Sequence, residues 1–303
     1  EYAYPIQQVT NANKHRLSYA SLRKQLEAHW FKSNVQDYLN ILSSSLSFDT
    51  WFNQNLSLNW VNAVVVKDSA DKIRETAPRE QHLNFQLTHI LDHPVEKVDL
   101  VSAYFVPDEN SMQIMQDLSN QDVQIRVLTN SFKANDVPLV HAFYAKHRPQ
   151  MLANGIQLYE FLPVLPNNLI DDRQKSIFQY DQNSRKKNSK DGFSRSSLHA
   201  KFMALDNRQV FIGSFNFDPR SAYLNTEIGV ILDSPTLAKA IHNSMDQDLI
   251  KYSYHVSLDP TGQMIWKQQT PNGQKIYSKE PEIKWWQKIG LKLVSWLPIQ
   301  GQM

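Results

Sequence analysis

The chain has 303 residues, 41% of them apolar, with a mean hydropathy of −0.49 and a formal net charge of +2; that supports a packed core and excludes global disorder. It holds no cysteine, so disulfides, thiolate chemistry and Cys-ligated zinc are excluded, while the redox compartment stays open. There is no run of about 18 apolar residues to cross a bilayer, and Glu1-Tyr2-Ala3-Tyr4-Pro5 has neither the basic region nor the apolar core of a signal peptide.

In chain order, Leu22, Leu26, His29 and Trp30 recur at helical spacing and predict a helix over residues 16–46. Residues 59–67 (NWVNAVVVK) are apolar and β-branched and predict a buried strand. An alternating rhythm succeeds it: helix 82–91, strand 97–105, helix 112–119, strand 123–129, helix 137–153 and strand 157–161. This alternation predicts an α/β sandwich around a largely buried sheet. Residues 163–197 break the rhythm with a polar, Asn- and Ser-rich stretch carrying Arg173, Lys175, Arg185, Lys186, Lys187, Lys190 and Arg195. Such a stretch reads as a solvated loop or as a basic flap over an anionic substrate. Strands at 198–205 and 209–214 flank Asp206-Asn207. A strand at 226–232, an amphipathic helix at 235–250 and a hairpin turned at Asn272-Gly273 come next. In the tail, Trp285, Trp286, Ile289, Leu293, Trp296 and Leu297 share a helical face, with Lys284, Lys288 and Lys292 spaced four apart. That composition suits an interfacial membrane helix, with a packed terminal helix as the alternative.

Chemistry concentrates in residues 198–216, LHAKFMALDNRQVFIGSFN. His199, Lys201 and Asp206 stand as H-x-K-x-x-x-x-D, with Gly213, Ser214 and Asn216 after them as G-S-x-N. On a strand, residues two apart share a face, so His199 and Lys201 project together. The ammonium of Lys201 and the amide of Asn216 can hold non-bridging phosphate oxygens. The imidazole can attack phosphorus or protonate a leaving oxygen. A nucleophilic histidine needs a carboxylate on its other nitrogen, and Glu227 is the predicted orienter. Asp206 is assigned a structural job within the motif.

These residues resemble the HKD motif of the phospholipase D superfamily, and Phe217-Asp218-Pro219-Arg220-Ser221-Ala222-Tyr223-Leu224-Asn225-Thr226-Glu227 resembles its bacterial cardiolipin synthase branch. Ser102-Ala103-Tyr104-Phe105-Val106-Pro107 is similar to that branch's S-x-Y-F-V-P segment. Leu128-Thr129-Asn130-Ser131, Asp136-Val137-Pro138 and Val140-His141 are similar to its L-T-N-S, D-V and V-H segments, and Trp296-Leu297-Pro298-Ile299 to its C-terminus. The resemblance covers most of residues 75–300. It implies a phospholipase D-like α-β-α sandwich with a central mixed β-sheet, and phosphatidyl transfer between phospholipids through a phosphohistidine, with no cofactor and no metal. It further implies substrate contacts from Ser214, Arg220, Asn225, Tyr104, Asn130 and His141. The implied setting is peripheral association with a bacterial membrane, with phospholipids as partners and no nucleic acid.

The branch carries two HKD motifs, whereas the other nine histidines here lack an H-x-K. The opening residues resemble the segment just after the first half of these enzymes. The expected division is therefore a helical linker at 1–58, a catalytic half-domain at 59–252 and a C-terminal hairpin and Trp/Lys helix at 253–303. The second half-site is expected from a preceding segment or from a homodimer partner, and without either the chain should be nearly inactive. Two other readings remain: a phospholipase D or nuclease-type phosphodiesterase using the same half-site, and a non-catalytic lipid-binding or dimerising module. The near-zero net charge argues against a nuclease, and the intact His199, Lys201, Asn216 and Glu227 argue against the module.

Overall fold

A computed structural model describes residues 59–163 and 197–295, with Ser21, Arg23, Lys24, Glu27 and Ala28. The predicted helix at 16–46, the basic stretch and residues 296–303 lie outside these or are only sparsely described. The chain divides into two units, and the ten-stranded fold belongs to the one formed by Val61–Leu169 and Arg195–Met303.

Ten strands form one mixed sheet: β1 (Asn62–Lys67), β2 (Lys97–Ser102), β3 (Gln124–Asn130), β4 (Gln157–Phe161), β5 (Lys201–Leu205), β6 (Gln209–Gly213), β7 (Ile228–Asp233), β8 (Ser253–Leu258), β9 (Met264–Thr270) and β10 (Gly273–Tyr277). Their order is β1-β7-β6-β5-β2-β3-β4-β8-β9-β10. Only β2–β3 and β3–β4 are parallel, and each of these neighbouring pairs is joined by a helix that carries the chain back across a face. Every other pair is antiparallel. The hairpins beginning at Ser253 continue the same sheet, since β8 pairs with β4.

Helices α1 (Leu83–Ile90), α2 (Glu109–Asn120) and α3 (Pro138–Ala153) cover one face. The short α4 (Pro219–Tyr223) joins them, and α5 (Pro235–Tyr252) covers the other face. Alternation divides each central strand between these layers. Val98 and Leu100 of β2 pack with Met112 and Met115 of α2, while Val101 packs with Met245 and Leu249 of α5. Starts are capped as the sequence dictates: Asp108 accepts from the Ser111 N–H, Asp218 from Ser221 and Ser234 from Leu237.

The predicted strand at 59–67 forms, but not buried. β1 is the sheet edge, and among its residues only Val66 is enclosed. A run of β-branched valines suits any pleated surface, edge or core, and so does not encode burial. The hairpin turn also shifts by one residue. Pro271 and Asn272 form the loop, and Gly273 opens β10 at φ 107°, where a side chain would be strained.

Candidate active site

The motif meets the sheet at one end of β5. The predicted strand at 198–205 begins its ladder at Lys201, with Lys201 opposite Ser102, and His199 lies on the non-strand approach before it, exposed. Asn130 fixes that approach: its side-chain carbonyl accepts from the Leu198 N–H at 2.8 Å, and its amide donates to the Leu198 and Ala103 carbonyls at 3.0 Å. Asn130 is 1% exposed with its whole amide occupied, so it positions the approach to the motif strand.

Lys201 folds back to donate to the His199 carbonyl at 2.9 Å, which holds its ammonium beside the imidazole-bearing residue. Burial lowers its pKa, while the carboxylates of Glu227, Asp218 and Asp136 pull the other way. The cation thus sits among three carboxylates. Tyr104 joins the group, its hydroxyl donating to Asp136 at 2.6 Å and its N–H to the Asn216 side-chain oxygen at 3.4 Å. Burial and the Asp136 bond raise the Tyr104 pKa, so it stays a neutral donor.

The G-S-x-N turn arises from close packing. A Cβ on Gly213 would stand 2.6 Å from the Ile228 carbonyl and 2.9 Å from the Phe211 ring, so only glycine fits. The Ser214 hydroxyl donates to Glu227 at 2.5 Å, and the Ile228 N–H donates back to it at 3.1 Å. The expected Glu227–His199 contact is not made among the described residues: the carboxylate is taken by Ser214. The Phe217 N–H then reaches the Ser102 hydroxyl at 3.1 Å, and its carbonyl accepts from Val106 at 2.8 Å. These two bonds dock the loop after Asn216 on the end of β2.

Beneath this loop lies an ion pair that sequence reading missed. Lys72 and Asp68 meet at 2.8 Å with both side chains sealed from solvent. Asp68 accepts from the Glu227 N–H at 2.8 Å and Lys72 donates to the Ser221 carbonyl at 2.9 Å. A D-x-x-x-K spacing reads as an exposed helical pair, so nothing in the sequence marked it. Asp218 was also missed, although Asp-Pro before a helix is a cap signal. Burial pushes its carboxyl up to about 6, and the Glu227 charge adds to that.

Two predicted residues lie elsewhere. Asp206 stands at the far end of β5, roughly 17 Å along the strand from Lys201. There it adopts φ 48° and its carboxylate accepts the N–H groups of Val95, Glu96 and Lys97 at 2.9–3.0 Å. It fastens the entry to β2 and touches no reacting group. His141 is fully enclosed, paired with Glu280 at 2.5 Å in a network where Arg148 bridges Glu280 and Glu160 at 2.8 Å each. Burial would raise the Glu280 pKa, but Arg148 and His141 outweigh it and hold the carboxyl far below the usual range. His141 therefore braces this buried network. Arg220 and Asn225 remain beside the site: Arg220 is exposed on α4, and its carbonyl accepts from the Asn225 N–H at 2.9 Å. No group of three or more metal-ligating side chains occurs among the described residues.

Residues 87–249, just over half of the chain, match the family described as cardiolipin synthase, PLD-like domain. The chain is 33% identical over 297 residues to cardiolipin synthase C of Escherichia coli, covering 98% of this chain and 59% of that protein. Among solved structures it is similar to Nuc of Salmonella typhimurium, a phospholipase D family member (14% identity, TM-score 0.43, 65% of this chain and 99% of the other). It is also similar to the phosphatidylserine synthase of Haemophilus influenzae (12% identity, TM-score 0.42, 78% and 46%). The chain belongs to the cardiolipin synthase, PLD-like domain family.

Proposed function

We propose that this chain supplies one of the two half-sites of a phosphatidyltransferase of cardiolipin synthase type. The observation that carries the reading is the meeting of His199, Lys201, Asn216, Ser214 and Tyr104 at one end of the sheet. In this reading Lys201 and the Asn216 amide hold the non-bridging oxygens of a lipid phosphodiester as negative charge shifts onto them. His199 takes one of two roles, and a histidine of a second half-site, from elsewhere in the protein or from a homodimer partner, takes the other. One imidazole attacks phosphorus: a P–N bond forms, the P–O bond to the headgroup alcohol breaks, and the second imidazolium gives that oxygen its proton. The acceptor hydroxyl of a second phospholipid then attacks phosphorus. Its proton passes to the second imidazole and the P–N bond breaks, which restores both histidines.

The full protein would act at a bacterial membrane surface. No described helix is long and apolar enough to cross a bilayer. The helix α6 (Trp285–Val294) exposes 76% of Trp285, 55% of Trp286 and 53% of Ile289 beside Lys284 and Lys292, which suits insertion among anionic headgroups.

The phosphohistidine step is tested by incubating the protein, in its natural length, with phosphatidylglycerol radiolabelled in its phosphate and quenching in alkali. A label on a histidine peptide, lost in Lys201→Ala, is the expected result. Lipid turnover without any protein-bound label would mean direct displacement by water or acceptor.

A further inference from the structure

The sheet face that carries the motif does not end at the motif. Because β5 alternates, Lys201 shares its face with Met203 and Leu205, and on the neighbouring β2 Ser102 shares its face with Leu100 and Val98. Met203, Leu205, Leu100 and Val98 line a cavity of about 710 Å³ that runs between α1 and α2. Met203 remains half-buried although β5 is a central strand, because the cavity stands over it. At the motif end the cavity is walled by Phe217, the residue docked on Ser102 through its N–H. Ile114 of α2 also lines it, 41% exposed. Its volume lies within the roughly 300–1,000 Å³ of ligand sites, and its wall is dominated by aliphatic and aromatic carbon, with polar groups such as Arg79, His82 and Asp108 among the lining. The apolar residues Val98, Leu100, Met203 and Phe217 offer a headgroup or a sugar little along the sheet side of the slot. It suits a flexible hydrocarbon chain whose polar end lies at the phosphodiester site.

We propose that this cavity takes one acyl chain of the phospholipid whose phosphate is held by Lys201 and Asn216, with Phe217 standing between the two parts of the site. The inference rests on the phosphatidyl-transfer reading, and it adds that chain length is sensed inside the fold. Each methylene moved from water into the cavity strengthens binding about fourfold. Affinity should therefore rise with chain length and stop rising once the chain reaches the end wall.

The test measures binding of monomeric lysophosphatidylglycerols of increasing chain length, below their micelle concentrations, to the full protein carrying His199→Ala so that no turnover intervenes. Affinity is expected to climb and then level off. Ile114→Trp and Met203→Phe, which fill the cavity, should make it level off at a shorter chain, while Ile114→Ala should not shorten it. Thermal melting within a few degrees of the parent identifies the variants that remain folded. Affinity that is independent of chain length, or the same dependence in all three folded variants, would overturn the cavity assignment and leave the chain on the outer surface. The two readings fail separately. Cardiolipin production by the parent with unaltered binding in the variants removes only the cavity, whereas chain-length sensing without any phosphatidyl transfer removes only the transferase reading.

Discussion

At the scale of single residues, the chemistry is held by side chains whose own roles are structural. Asp218 is an example: it caps α4 through the Ser221 N–H at 2.7 Å and carries a carboxyl pushed up to about 6. Between about pH 4 and 6 the folded chain keeps this proton and the unfolded chain does not, so the residue's contribution to stability is complete at low pH and lost as pH rises through 6. Asp218→Asn keeps a capping oxygen and removes the titration. Urea titrations should therefore show the variant gaining about 2–3 kcal/mol on the parent between pH 4 and 7. An unchanged difference across that range would place the charge in water. The Asp68–Lys72 pair predicts the opposite kind of sensitivity. Lys72→Met leaves a buried carboxylate without its cation and should cost about 3–5 kcal/mol in urea unfolding. His199, Lys201 and Asn216 were legible because a fixed spacing of chemically coherent residues survives any detail of packing. His141 was not, since a histidine in a helix carries no mark of which way it faces, and here it faces Glu280.

At the scale of elements, the site depends on how closely β6 and β7 approach. Gly213 faces Gly229 across the ladder, and a Cβ on Gly229 would stand 2.3 Å from the Phe211 ring while one on Gly213 meets backbone. Both glycine-to-alanine changes should destabilise by about 1–3 kcal/mol. Gly213→Ala should be the worse for activity, because the Ile228 carbonyl it would strike also accepts from the Ser214 N–H. Equal activity in the two variants, measured on folded protein, would count against that coupling. The helices and inner strands were readable within a few residues, since α2 and α5 begin at the capping residues Asp108 and Ser234 and α3 opens on Pro138. Burial of β1 was misread, because an edge strand and a core strand can share the same run of valines. Glu227 was placed near the motif correctly, but its partner depends on the Ser214 rotamer, which spacing does not encode.

At the scale of the molecule, one sheet joins the motif to the C-terminal hairpins, an order that only the β4–β8 pairing reveals. The rhythm of helices and strands announced an α/β layer but not which strands lie side by side. α6 brings exposed tryptophans to that molecule. Trp285→Ser with Trp286→Ser should lower partition onto phosphatidylglycerol vesicles by about tenfold or more in a sedimentation assay, with little change in melting temperature. Unchanged partition would assign membrane contact to another surface. Phosphatidyl transfer through His199 is tested most directly by lipid product analysis after the protein, in its natural length, meets phosphatidylglycerol vesicles beside its His199→Ala variant. Cardiolipin is predicted from the parent, with a loss of at least about 10³-fold in the variant. Cardiolipin made equally by both, or phosphatidic acid as the sole product, would contradict it.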